Sequence, residues 1–142
     1  MLRLAEQSRD NHRRFVERVV DSETVWMLNM GEGAAYCESN NDEQRPVLMF
    51  WSDRAYAQRV RNSGFEDCEI ESLSLFEFLF RWLPGIAGDG AIIGTNWTGD
   101  LCGLEIEPLA LQDELIAAMP RERLQEFQDR LRISIEEQNS GH

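Results

Sequence analysis

The side chains that most often move protons or attack carbonyls are scarce in this chain. Histidine occurs only as His12 and His142. His12 falls in a helical stretch and is expected at the surface or half-buried rather than as a base, and His142 stands last. A Ser-His-Asp or Cys-His relay needs a nucleophile, a base beside it and a group to orient the base. His12 would have to meet a nucleophile from elsewhere, and no G-x-S-x-G elbow is present to offer one. Nucleophilic hydrolysis is not expected. All fourteen basic residues are arginine, which removes Schiff-base chemistry, a lysine base and the phosphate-loop lysine.

Metal and phosphate chemistry find little more. Cys37, Cys68 and Cys102 lie far apart and form no zinc spacing with either histidine. The acidic loop Asn40-Asn41-Asp42-Glu43 lacks the twelve-residue calcium pattern with its central glycine. Gly31-Glu32-Gly33 and the run from Gly85 to Gly90 match no dinucleotide or phosphate loop, and ordinary turns explain both. Neither a metal nor a cofactor is expected. Glu69 with Glu71, and Glu105 with Glu107, each share a strand face about 6.5–7 Å apart by strand rise. Carboxylates at that separation can serve glycosidic cleavage. An exposed strand face supplies such pairs without any catalytic purpose, and a domain this small has little room for a sugar cleft.

The remaining constellation is aromatic. Trp51 ends a strand, Trp82 ends an apolar helix and Trp97 ends another strand, with Asp89 and Asn96 nearby in sequence. If these ends converge, Trp51, Trp82, Asp89, Asn96 and Trp97 would form a pocket with aromatic walls and a few polar groups. The competing expectation is that the tryptophans are core residues whose indole N–H groups meet backbone carbonyls.

The elements that must position these residues read as follows. Residues 5–21 form a helix with Phe15, Val16, Val19 and Val20 on one face and Arg9, Arg13, Arg14 and Arg18 towards the other. Thr24–Met30 and Ala34–Glu38 flank Gly31-Glu32-Gly33 as a hairpin. Ser39–Arg45 is a surface loop. Pro46 opens an inner strand over 47–51, and Ser52 is placed to cap a helix over 53–63 that Gly64 ends. Cys68, Ile70 and Ser72 alternate with acids as a strand. Ser74 and Glu77 are spaced as a capping box. The helix they start is apolar nearly all round, so it belongs at the centre of the core or at an interface, and Pro84-Gly85 should stop it. A second hairpin joins Ala91–Trp97 to Leu101–Glu107 through Thr98-Gly99-Asp100, with Cys102, Leu104 and Ile106 on one face. Pro108 starts a helix to about Met119. After Pro120, a last helix spaces Leu124, Phe127, Leu131 and Ile135 by three and four.

The expected fold is α+β, a single domain with a largely antiparallel sheet built from two hairpins plus single strands and packed against helices. Residues 1–120 form its body, and 121–142 are an appended helix and frayed tail. A chain of 142 residues suffices for one core.

The stretch from Phe15 to about Leu115 resembles a bacterial family known as domain of unknown function 2750. The likeness rests on Val25-Trp26, on Trp51 before a helix, and on the run from Phe78 to Gly85 (FLFRWLPG). Asp89-Gly90, Gly94-Thr95-Asn96-Trp97 and Gly103 to Pro108 (GLEIEP) complete it. The resemblance implies a shared fold. It assigns no activity, cofactor or catalytic residue.

Twenty-six acidic residues against fourteen arginines give a net charge of −12. That charge repels nucleic acid and anionic membranes and suits a basic protein partner. Separated cysteines, odd in number, fit reduced thiols in the cytoplasm, so the Asn96-Trp97-Thr98 sequon is not expected to be glycosylated. No apolar leader and no apolar run long enough to span a bilayer are evident. The composite expectation is a non-enzymatic intracellular binding module. An acidic toxin-neutralising protein, a small-molecule sensor or enzyme using a tryptophan-lined pocket, and a homodimer joined through an apolar helix face are the alternatives.

Overall fold

The computed structural model describes residues 2–41, 44–101 and 103–140, and the side chains of 5–41, 44–101 and 103–138. Asp42, Glu43, Cys102 and His142 lie outside the described residues. The chain runs α1 (Leu2–Ser22), β1 (Thr24–Asn29), β2 (Tyr36–Glu38), β3 (Pro46–Phe50), α2 (Arg54–Arg61) and β4 (Glu69–Ser74). It continues with α3 (Leu75–Glu77), a π-helical turn (Phe78–Trp82), α4 (Leu83–Gly88), β5 (Ile92–Thr95), β6 (Glu105–Ile106), α5 (Pro108–Ala118) and α6 (Arg121–Ser140).

The fold is α+β, with most strand pairs antiparallel. β1 pairs with β4 in one sheet, and the second runs β2-β3-β5-β6. β3 and β5 are parallel, with Phe50 opposite Thr95. Trp26 and Trp51 exchange two 2.8 Å backbone hydrogen bonds and join the sheets. Alternation along the strands divides the core. Val25, Met27, Phe50 and Ile93 face α1, the helical run over 75–88, α5 and α6. Leu28, Val47, Met49, Trp51 and Ile92 face the other way, with Ala57 and Val60 of α2.

The first hairpin forms only at its neck. Met30 N–H donates to Gly33 O at 2.9 Å and Ala35 N–H to Leu28 O at 2.7 Å, so the turn is where its glycines put it. Beyond it the chain leaves β1, and Tyr36–Glu38 pairs with β3 instead. β1 takes β4 as its partner over six residues, Thr24 to Asn29 against Ser74 to Glu69. The second hairpin exists, but its return strand is cut to Glu105–Ile106 because the preceding segment wraps the indole of Trp97.

Two helix boundaries also differ. Ser52 does not cap α2; Asp53 occupies the N-cap position without a side-chain capping bond. The Ser52 hydroxyl donates to Asp53 Oδ1 at 2.7 Å instead. Asp53 is held by Arg18 of α1 through two bonds of 2.7 and 2.5 Å. At the other helix, Ser74 Oγ accepts from Glu77 N–H at 3.1 Å as a cap, but Pro84-Gly85 does not stop the run. In the π-helical register Leu83 N–H reaches back five residues to Phe78 O. The next amide in that register belongs to residue 84, where proline has none. The helix therefore passes through Pro84, and α4 continues to Gly88.

The helical run over 75–88 is the centre of the core, as its all-round apolarity requires. Leu75, Phe78, Leu79 and Leu83 are fully buried. Its outer aromatics, Phe76 and Phe80, are covered edge-on by Phe127 of α6 at 5.6 and 6.5 Å. Arg130 lies 4.2 Å over the Phe76 ring. The last helix thus docks through its first half, while Ile133 and Ile135 remain about half exposed.

Candidate functional site

The parallel pairing of β3 and β5 brings both strands to an end on the same side. There Trp51-Ser52 meets Asn96-Trp97. Asn96 sits in the left-handed region at φ 50°, which asparagine tolerates better than most residues. Its side chain uses that position fully. Oδ1 accepts from Ser52 N–H at 2.8 Å, and Nδ2 donates to Ser52 Oγ at 3.0 Å and to Asn11 O at 3.2 Å. One buried amide thereby ties the end of β5 to the entry of α2 and to α1.

Of the five residues singled out in the sequence, Trp51, Asn96 and Trp97 come together, and Trp82 and Asp89 do not join them. Trp51 and Trp97 are core residues. The Trp51 indole donates to Trp97 O at 2.8 Å, and the Trp97 indole donates to Leu104 O at 2.9 Å. Trp82 packs edge-on to Phe50 at 6.2 Å on the opposite face of the sheet. Asp89 is exposed at the end of α4. The tryptophans therefore do not line a common pocket.

A cleft lies directly outside the buried pair. It has a volume of about 240 Å³ between α1 and α2 and is floored by Asn96, Trp97 and Val60. Gln7, Asn11 and Arg14 reach it from one face of α1, spaced by four and three, and Tyr56 and Arg59 reach it from one turn of α2. Thr98 and Gly99 close its edge. The sequence marked Arg14 only as part of a polar face, because the partner helix could not be paired with α1 from spacing alone.

His12, one residue beyond Asn11, departs most from expectation. It is 8% exposed. Nε2 lies 3.0 Å from Glu114 Oε1 on α5, and Nδ1 lies 2.8 Å from Thr95 Oγ1 at the end of β5. An ionised carboxylate only accepts, so Nε2 carries a proton; in the neutral ring Nδ1 then accepts from the Thr95 hydroxyl. Hydroxyl, imidazole and carboxylate thus stand in the order of a nucleophile relay. The relay is shut: Thr95 is 1% exposed, so no substrate carbonyl can reach its oxygen in this conformation. As it stands, the arrangement pins α1 to β5 and α5 while satisfying a buried histidine.

A family model, described as protein of unknown function (DUF2750), matches residues 12–115. The chain belongs to this family. No curated protein and no solved structure matches it. The DUF2750 match takes in His12, Asn11's neighbour, and every cleft residue except Gln7 and Asn11, and it ends before α6. Three of the residues that carried the DUF2750 resemblance, Gly94, Gly103 and Leu104, lie against Trp97. A Cβ on Gly94 would stand 2.7 Å from the Trp97 ring, and one on Gly103 would stand closer still, so the indole needs glycine at both positions.

Two of the other candidate carboxylates have structural employment. Glu105 accepts from Asn40 N–H at 2.8 Å and from the Ser39 hydroxyl. Glu107 pairs with Arg45 at 2.7 Å, and the hydrogen bond from that guanidinium holds its carboxyl below the usual range. Burial pushes the thiols of Cys37 and Cys68 up, which suppresses the thiolate form. Among the described residues, no group of three or more His, Cys, Asp or Glu side chains could hold a metal ion, and no helix is long and apolar enough to cross a membrane.

Proposed function

We propose that the protein is a binding module without a reaction of its own, and that it takes its ligand in the cleft between α1 and α2. One observation carries this reading. Aromatic, amide and cationic side chains converge there over a floor fixed by Asn96 and the two buried tryptophans, so the site is formed before any ligand arrives. The net charge of −12 favours small ligands or basic proteins over nucleic acid and anionic membranes as partners. The free thiols of Cys37 and Cys68 support a reducing, cytoplasmic compartment. A metabolite panel screened by melting shift, with hits mapped by amide NMR, tests the reading. Hits should move the resonances of Asn96, Trp97 and Gly99 and be lost in Gln7→Trp, which fills the cleft mouth. A panel in which no compound moves those resonances would reject it.

The hydroxyl–imidazole–carboxylate order supports a second reading, a hydrolase in which α1 or α5 shifts to bare Thr95. Turnover of an ester panel that disappears in Thr95→Val, with the fold retained, would favour this reading over the first.

A further inference from the structure

We infer that the ligand of the α1/α2 cleft is a small anion, a compound carrying a carboxylate or phosphate group that Arg14 and Arg59 grip between them. This rests on the cleft being the binding site and names the chemistry it selects.

In a chain with almost twice as many acids as bases, most guanidiniums are answered by a carboxylate or a carbonyl. Arg18 is held by Asp53, Arg45 by Glu107, Arg81 by Glu77, and Arg123 by Glu23 and Glu126. Arg61 donates to the carbonyls of Cys68 and Glu66. Among the described residues Arg14 and Arg59 form no ion pair, as is also true of Arg54, Arg121 and Arg130, although the charge of Arg14 still acts on Asp53 beyond the cleft. Arg59 leans over the Tyr56 ring at 5.6 Å, a contact that orients a guanidinium without neutralising it.

Two other clefts with arginines compensate them internally. The one holding Arg18 and Arg54 also holds Asp21 and Asp53, and the one holding Arg9 and Arg13 also holds Glu6 and Asp10. The α1/α2 cleft holds two arginines and no carboxylate. Two like charges facing one concavity raise its potential, and a bound anion relieves that. The remaining lining suits the role. Gln7, Asn11 and Thr98 offer neutral hydrogen bonds, and Tyr56 offers a flat apolar wall. At about 240 Å³ the space admits a small organic acid or a phosphate monoester, not a polymer.

The inference is tested by titrating the full chain with inorganic phosphate and, separately, with malonate, each by calorimetry and by amide NMR at low and high salt. At least one anion should bind one-to-one and shift Asn96, Trp97 and Gly99. The tighter of the two distinguishes a phosphate ligand from a carboxylate one. Arg14→Ala and Arg59→Ala should each weaken binding roughly ten-fold or more, the scale of one charge-assisted hydrogen bond. Arg54→Ala, outside the cleft, should leave it unchanged. Both test positions are exposed, so the variants should keep the wild-type circular dichroism spectrum. Binding that is equal in all three variants would overturn the inference. So would a neutral compound shifting the cleft resonances when neither anion does, although the cleft would then stand as a binding site. If anions and neutral compounds alike leave those resonances still, both readings fall.

Discussion

Gln112 of α5 donates its side-chain amide to the main-chain oxygen of Leu79 at 2.8 Å. That oxygen is the one Pro84 leaves without a partner when the helix passes into its π-helical turn. The acceptor belongs to a fully buried residue, so an unanswered carbonyl there would cost about 1–3 kcal/mol. Gln112→Leu should lower unfolding stability by that amount in urea titrations. In a Pro84→Ala background the restored amide can serve the carbonyl, and the same substitution should cost measurably less. An equal cost in both backgrounds would detach Gln112 from the proline.

Trp97 is clasped by two glycines. Gly94→Ala and Gly103→Ala each put a methyl group inside contact distance of a ring that cannot swing away. Each should cost about 1–3 kcal/mol and alter the near-UV circular dichroism. The smaller ring of Trp97→Phe should recover part of the Gly103→Ala loss. A Gly103→Ala protein as stable as wild type would show that the indole has room after all.

The relay around His12 makes unequal demands on its members. Thr95→Val leaves a buried ring nitrogen unanswered and should cost about 1–3 kcal/mol. Glu114→Gln should cost less than about 1 kcal/mol, because its amide oxygen can still accept and the side chain is 46% exposed. Chemical denaturation of the two variants provides the comparison, and a reversed order would contradict the hydrogen-bond assignment.

Acid should loosen the junction of α1 and α2. Burial alone would raise the Asp53 carboxyl, but hydrogen bonds from Arg18 and Ser52, with the charges of Arg18 and Arg14, outweigh it and hold it below its ordinary 3.8. A carboxyl depressed by folding contributes stability above its unfolded pKa and loses it as pH falls through the folded value. The stability gap between wild type and Asp53→Asn should therefore be steady above roughly pH 5 and close as the pH drops below that of the free carboxyl. A gap that widened in acid would reverse the sign.

Local chemistry was legible in the sequence, and long-range partnership was not. Gly31 and Gly33 specify a turn that is present, and Pro46 and Pro108 open the elements they should. The expectation that indole N–H groups meet backbone carbonyls holds for Trp51 and Trp97. What escaped was the choice between partners that look alike from one strand. β1 could pair with 34–38 or with β4, and only the second buries Val25 with Leu73 and Leu28 with Ile70 across six registered pairs. His12 meets groups 83 and 102 residues away, so no spacing rule could bring them together. Proline 84 read as a stop because a π-helical turn leaves no periodic signature in an all-apolar run.

The two backbone bonds between Trp26 and Trp51 couple the sheets at one point. Trp51 is also fastened through its indole to Trp97, so peeling β4 from β1 strains the strand ends on which the cleft rests. Heat or denaturant should meet one all-or-none transition, with no surviving half of the molecule.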